Sequence, residues 1–157
     1  MASESIKLLS DPRVSDFLVT GRVGALATCD RSGAPHNIPV CYWFNSGRFY
    51  FIIDQKPKRR AGMALKRMRN IAENERVALL IDHYEETWTF LAYVLVHGAA
   101  RVVDDPNEYM LALRNLRDKY PQYRSMALGP ESNPAVRIDV ERVHVWGDRF
   151  KTAEPAP

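Results

Sequence analysis

Seven lysines and arginines, Lys56, Lys58, Arg59, Arg60, Lys66, Arg67 and Arg69, fall between Asp54 and Asn70, with no acid between Lys56 and Arg69. The run follows Phe49, Tyr50, Phe51, Ile52 and Ile53, which read as a buried strand. A strand that ends here delivers the basic segment to a barrel rim. There, cationic side chains on a rigid scaffold hold a phosphate through charge-assisted hydrogen bonds. The plain alternative is a solvated basic helix face, and the residues alone leave both open.

Other reactive side chains are dispersed. No Ser or Cys sits in an activating motif, and His36, His83, His97 and His144 are scattered one per segment. No His or Cys pair has metal-ligand spacing, so a metal site is not expected. The residues alone offer no persuasive protein nucleophile. Cys29 and Cys41 read as small buried hydrophobes. A hairpin folded about Arg31 to Gly33 puts Cys29 near His36 and away from Cys41, which excludes a disulfide between them.

The bulk numbers bound the class. With 157 residues, 46% hydrophobic and 10% aromatic, the whole chain, 1–157, is expected to form one domain. The net charge of +3 is modest, and outside the basic run the chain is slightly acidic. A localised anion fits that pattern better than a protein-wide nucleic-acid field. No apolar run reaches membrane-spanning length, and MASESIKLLS is too polar for a secretory signal, so a cytoplasmic protein is expected.

The elements that must position the basic run follow from periodicity and turn chemistry. A short helix is predicted around Asp11 to Leu18, with Asp11 as cap and Pro12 in the first turn. Arg22 to Asp30 and His36 to Phe44 read as strands joined by the turn Asp30-Arg31-Ser32-Gly33, and Asn45-Ser46-Gly47 launches a third. From Arg60 to Ala72 the apolar residues Ala61, Ala64, Leu65, Met68 and Ile71 recur at helical spacing. Arg76 to Asp82 is a compact strand, and Thr89 to Val103 a long one with Gly98 placed for a bulge. Asp105-Pro106-Asn107-Glu108 starts a helix that runs to Tyr120 and stops at Pro121. Val136, Ile138 and Val140, then Val143, Val145 and Trp146, read as a last strand pair before a frayed tail at Pro155-Ala156-Pro157. Six antiparallel strands with peripheral helices give a mainly β chain of the α+β class, closed or nearly closed into a barrel so that no long edge stays exposed.

Laid out as GALATCDRSGAPHNIPVCYWF, then RFYFIID, then the basic run and LKRMRNIAENERVALLID, the chain resembles the pyridoxamine-phosphate-oxidase-like split β-barrel family, from about Arg22 to Gly147. KPKR after the third strand, with RNI-x-x-N-x-R-V-A-L-L-x-D, most resembles the coenzyme F420-dependent branch. The resemblance implies a six-stranded FMN-binding-type split barrel and a homodimer. It also implies FMN, the deazaflavin F420, haem or another tetrapyrrole in grooves between subunits.

By position, the resemblance sets His36, Asn37, Ile38, Pro39 and Val40 along the tricyclic ring, and Lys56, Lys58, Arg59, Lys66, Arg67 and Asn70 at the cofactor phosphate. Asp54 is a candidate for a ribityl hydroxyl, against the plainer reading of a salt bridge to Lys56 or Lys58. Tyr42, Tyr84 and Trp88 are candidates for the substrate wall. His36 has the plainer reading of a strand residue across from Cys29, Trp43 and Phe44 that of barrel core, and Trp146 that of packing.

The basic segment is longer than the compact Ser-x-Lys arrangement of FMN-binding relatives. A longer track suits F420, whose phosphodiester continues into an oligoglutamate tail, better than the single phosphate of FMN. The resulting expectation is hydride transfer from reduced F420 to a small unsaturated or conjugated substrate. The alternatives are an FMN-dependent oxidase or reductase of the pyridoxamine-phosphate-oxidase type, and a non-catalytic carrier of F420, flavin or tetrapyrrole. A nucleic-acid surface is disfavoured because the aromatics lie on apolar strands instead of among the cations.

Overall fold

Alternation of buried and half-buried residues along Gly24–Cys29 (β1) marks a strand with one packed face, and the same period governs most of the sheet. The computed structural model describes residues 2–54 and 65–151. Within them, β1, Pro35–Val40 (β2), Trp43–Asn45 (β3), Arg48–Ile52 (β4), Arg76–His83 (β5), Ala92–Val102 (β6) and Ala135–Trp146 (β7) form one antiparallel sheet. The order is β2-β1-β5-β6-β7-β4-β3, so consecutive strands β2 and β3 end up on opposite edges. The sheet curls around one core in which Leu26 and Leu79 meet Phe49 and Ile138. This is the split-barrel form.

Seven strands stand among the described residues where six were expected, and the predicted strand from His36 to Phe44 is broken at Cys41-Tyr42. Tyr42 turns its ring into the core, and its N–H goes to the Tyr120 hydroxyl at 3.0 Å instead of to a neighbouring strand. In compensation, the predicted last pair is a single twelve-residue strand, β7. Its register against β6 shifts at His97/Gly98, and a Cβ on Gly98 would collide with the carbonyl oxygen of Asp139. The bulge therefore needs glycine. The strand predicted from Thr89 starts at Ala92, since Trp88–Phe90 wind into a 3-10 turn.

Turn chemistry behaves as its residues dictate. Asp30 Oδ1 accepts from the N–H groups of Ser32 and Ala34 at 3.0 and 3.1 Å, with Gly33 at φ +82°. Asn45-Ser46-Gly47 closes the β3–β4 hairpin with Ser46 and Gly47 both at positive φ.

Among the described residues four helices surround the sheet: Ala2–Ser10 (α1), Pro12–Thr20 (α2), Lys66–Glu73 (α3) and Pro106–Lys119 (α4). Asp11 caps α2 through the N–H of Arg13 at 2.9 Å, and Asp105 caps α4 through that of Asn107 at 3.0 Å. The buried face of α4, Tyr109, Leu113 and Leu116, covers Tyr50, Ile52 and Ala135 and makes a second, smaller core. α3 buries Met68, Asn70 and Ile71. The first turn of the predicted basic helix, the loop before it and the expected frayed tail lie outside the described residues. Among the described residues no helix is long and apolar enough to cross a membrane.

Candidate functional site

Two prolines define the free edge of β2. Among the described residues this strand pairs only with β1, in the register Thr28↔His36, Ala27↔Asn37, Leu26↔Ile38 and Ala25↔Pro39. A proline nitrogen carries no hydrogen, so within a paired strand it must face away from the partner. Pro35 and Pro39 therefore fix positions 35, 37 and 39 as the outward-facing set. On this edge the N–H of Asn37 is the only backbone donor, flanked by the carbonyls of Pro35, Asn37 and Pro39. Such an edge can give one backbone hydrogen bond and accept several. A cleft of about 420 Å³ lies across the face of β2, β1 and β5, lined by Asn37, Ile38 and Pro39 together with Arg22, Val23, Ala25 and Asp82. His36 is half-buried and Val40 buried on the opposite side of the same strand.

Where β2 ends, the chain enters a corner of aromatic and cationic groups. The Tyr120 hydroxyl lies 2.9 Å from the carbonyl oxygen of Arg22 and 3.0 Å from that of Tyr42, donating to one at a time while accepting the Tyr42 N–H. The guanidinium of Arg22 stands over the Tyr120 ring at 4.7 Å. Lys119 places its ammonium 4.0 Å from the centre of the Tyr42 ring and 5.5 Å from that of Tyr120. Its nitrogen is buried and has no hydrogen-bond acceptor among the described residues. Burial, with the charge of Arg22 adding to it, pushes the Lys119 ammonium down to about 8. Burial raises the neighbouring hydroxyl of Tyr120 to about 12 and also raises the thiol of Cys41.

The corner continues toward the basic segment. Tyr123 donates its hydroxyl to Asp54 Oδ2 at 3.0 Å, so the described partner of Asp54 is a phenol. Arg67, from the first turn of α3, is half-buried, and its Nε is enclosed without an acceptor among the described residues. Burial lowers the affinity of the Arg67 guanidinium for its proton, and the Asp54 carboxylate works in the opposite sense. Buried donors without acceptors cost roughly 1–3 kcal/mol each. Arg67 Nε and Lys119 Nζ thus fit an anionic group that would complete them.

The remaining predicted residues divide. Lys66 is committed to the β1–β2 turn through Asp30 at 2.9 Å. The Asp30 carboxyl is held well below the usual range by Ser32 and then by Lys66. Asn70 is fully buried and donates to Thr28 Oγ1 at 2.9 Å, which fastens α3 to the barrel. Lys56, Lys58 and Arg59 lie outside the described residues. Tyr42 cannot wall a substrate from this position: it is 1% exposed, with its hydroxyl donating to Leu18 O at 2.7 Å. It is a core residue because its ring plugs the barrel where β2 stops. Tyr84 and Trp88 are 63% and 71% exposed on the β5–β6 connection. Trp146 stacks on Tyr93 with centroids 5.6 Å apart and leaves about half of its surface exposed.

Sequence reading did not single out Arg22, Lys119, Tyr120 or Tyr123 for the site. The last three follow or end α4, where the local signal is only a helix stop at Pro121. Nothing in that signal points to a strand end 78 residues away.

Comparison with known proteins adds the following. The family model described as pyridoxamine 5'-phosphate oxidase matches residues 10–147. A 5a,11a-dehydrotetracycline/5a,11a-dehydrooxytetracycline reductase of Streptomyces rimosus is 31% identical over 125 residues, which cover 79% of this chain and 73% of that protein. The structure of the conserved hypothetical protein Rv2991 of Mycobacterium tuberculosis superimposes with a TM-score of 0.72 at 20% identity, covering 94% of this chain and 91% of that one. An FAD-binding protein of Mesorhizobium loti does so at 0.62 and 22% identity, covering 86% and 92%. These structural likenesses concern the fold.

Proposed function

The chain belongs to the pyridoxamine 5'-phosphate oxidase family, and from that membership we propose an oxidoreductase that uses a flavin-type cofactor, F420, to reduce a small unsaturated substrate. The observation that carries this reading is the single-donor strand edge at Asn37 together with two enclosed cationic nitrogens, Arg67 Nε and Lys119 Nζ, that have no acceptor among the described residues. When bound, the reduced deazaflavin supplies the hydride.

The chain's own groups bind and orient. The N–H of Asn37 and its neighbouring carbonyls address the ring edge, and Arg22, lining the same cleft, stabilises negative charge developing there. Arg67, with Lys56, Lys58 and Arg59, holds the anionic tail. Tyr123 orients Asp54 by donating its hydroxyl to one carboxylate oxygen, and the Asp54 charge still favours the protonated form of Arg67. The open cleft and the exposed Tyr84 and Trp88 favour a homodimer in which a second subunit closes the ring site and excludes water.

Support for the substrate class comes from the Streptomyces relative, whose name records reduction of a dehydrotetracycline. Support for F420 over FMN comes from the length of the cationic track. FMN is the second reading, favoured by the family's own description. Calorimetric titration of the purified protein with F420 and with FMN separates the two, alongside its mass in solution. Micromolar or tighter F420 binding by a dimer is expected. Tight FMN binding with no F420 affinity overturns the cofactor assignment.

A further inference from the structure

A cavity of about 710 Å³ opens against the outer side of α4, and none of its lining residues belongs to the cofactor cluster described above. Its apolar surface comes from Met110 and Leu111, and its charge from Arg114, Arg117 and Arg124 against one acid, Asp118. We propose that this cavity is a second ligand site, for a small organic anion in which a carboxylate or phosphate is attached to an apolar body.

Three features of the cavity support this. The volume lies within the usual range for sites that enclose a small molecule. Two of the three cations are preorganised: Arg117 donates Nε to Tyr123 O at 3.2 Å and Nη2 to Met126 O at 3.1 Å, and Arg124 donates Nε to Arg117 O at 3.1 Å. Each planar group is pinned along one edge by backbone carbonyls and keeps other N–H groups for a bidentate acceptor. Arg114 makes no hydrogen bond or ion pair among the described residues, and neither Arg117 nor Arg124 pairs with an acid. Cations in a last helical turn are favoured by the helix dipole alone. The dipole does not account for Met110, 56% exposed, and Leu111, 39% exposed, beside them. A charged head on the guanidinium groups and an apolar body on Met110 and Leu111 uses both halves of the surface.

The test is a titration of the whole protein, carrying ¹³C-methyl methionine, with octanoate and with monooctyl phosphate. Inorganic phosphate and octanol serve as controls. Either amphiphilic anion is expected to shift the Met110 methyl saturably, while the methyl of Met68, sealed in the barrel core, stays in place. Arg114→Gln, which removes no hydrogen bond or ion pair among the described residues, is expected to weaken that binding about tenfold. Leu111→Glu is expected to abolish it. The proposal falls if neither anion moves the Met110 signal, or if octanol or inorganic phosphate binds as tightly as the amphiphiles. It falls equally if Arg114→Gln leaves the affinity unchanged.

Discussion

The hydroxyl of Tyr120 accepts the backbone N–H of Tyr42 at 3.0 Å, standing in for the strand neighbour that Tyr42 lacks where β2 ends and β3 begins. The same oxygen reaches the carbonyls of Arg22 and Tyr42, so one phenol satisfies backbone groups at the seam of the barrel. Tyr120→Phe removes that oxygen and little else. It is expected to cost about 1–3 kcal/mol, lowering Tm by roughly 2–4 °C per kcal/mol in a chain of this size. Thermal unfolding followed by circular dichroism measures it, and an unchanged midpoint would show that water serves the seam equally well.

Asn37→Pro tests the single-donor edge directly. Proline is tolerated at the outward positions of an edge strand, as Pro35 and Pro39 already demonstrate. The variant is therefore expected to fold with unchanged stability and to bind cofactor about tenfold more weakly, the loss of one hydrogen bond. A large drop in Tm would instead mean that Asn37 faces β1.

Arg67→Met separates holding a ligand from holding the fold. Removing a half-buried guanidinium whose Nε has no acceptor is expected to leave the unliganded protein as stable as before, or more so. The affinity for an anionic cofactor should fall ten- to a hundredfold, and its salt dependence should flatten. If stability collapses while affinity persists, Arg67 is structural.

Lys119 gives the protein a pH signature. Its ammonium loses its proton near pH 8 when folded and at about 10.5 when unfolded, so between those values the unfolded chain binds more protons. Stability is therefore expected to rise with pH from about 8 to about 10, and Lys119→Met should remove that rise. Tyr120 works in the opposite direction higher up. Its folded value of about 12 exceeds the unfolded value near 10, so its contribution is lost as pH climbs beyond 10. Urea midpoints at intervals from pH 7 to 11, for the native protein and for Lys119→Met, give the comparison. Parallel curves for the two would remove Lys119 from the account.

What the sequence disclosed and what it withheld divide by the range of the interactions. The Asp30 turn, the Asn45-Ser46-Gly47 hairpin, the Asp105 cap and the Gly98 bulge each rest on chemistry within a few residues, and each stands where the sequence places it. The break at Cys41-Tyr42 could not be read that way. The apolar pattern runs straight through it, and the group that ends the ladder arrives from Tyr120. Lys119 escaped notice for the same reason: in the sequence it is an ordinary cation in the last turn of a helix, and only the packed α4 buries it against Tyr42. Tyr42, aromatic and beside the predicted ring stretch, suggested a substrate wall by proximity, but its rotation into the barrel depends on the whole core.

The proline pair of β2 has a consequence beyond ligand recognition. An exposed strand margin is where foreign chains usually add themselves, one amide after another, until fibres grow. With nitrogens 35 and 39 unable to donate, an intruding strand meets a gap on either side of Asn37 and gains no continuous ladder. This margin is therefore inhospitable to another polypeptide, and any self-association of this protein by strand addition must go through the opposite edge, β3.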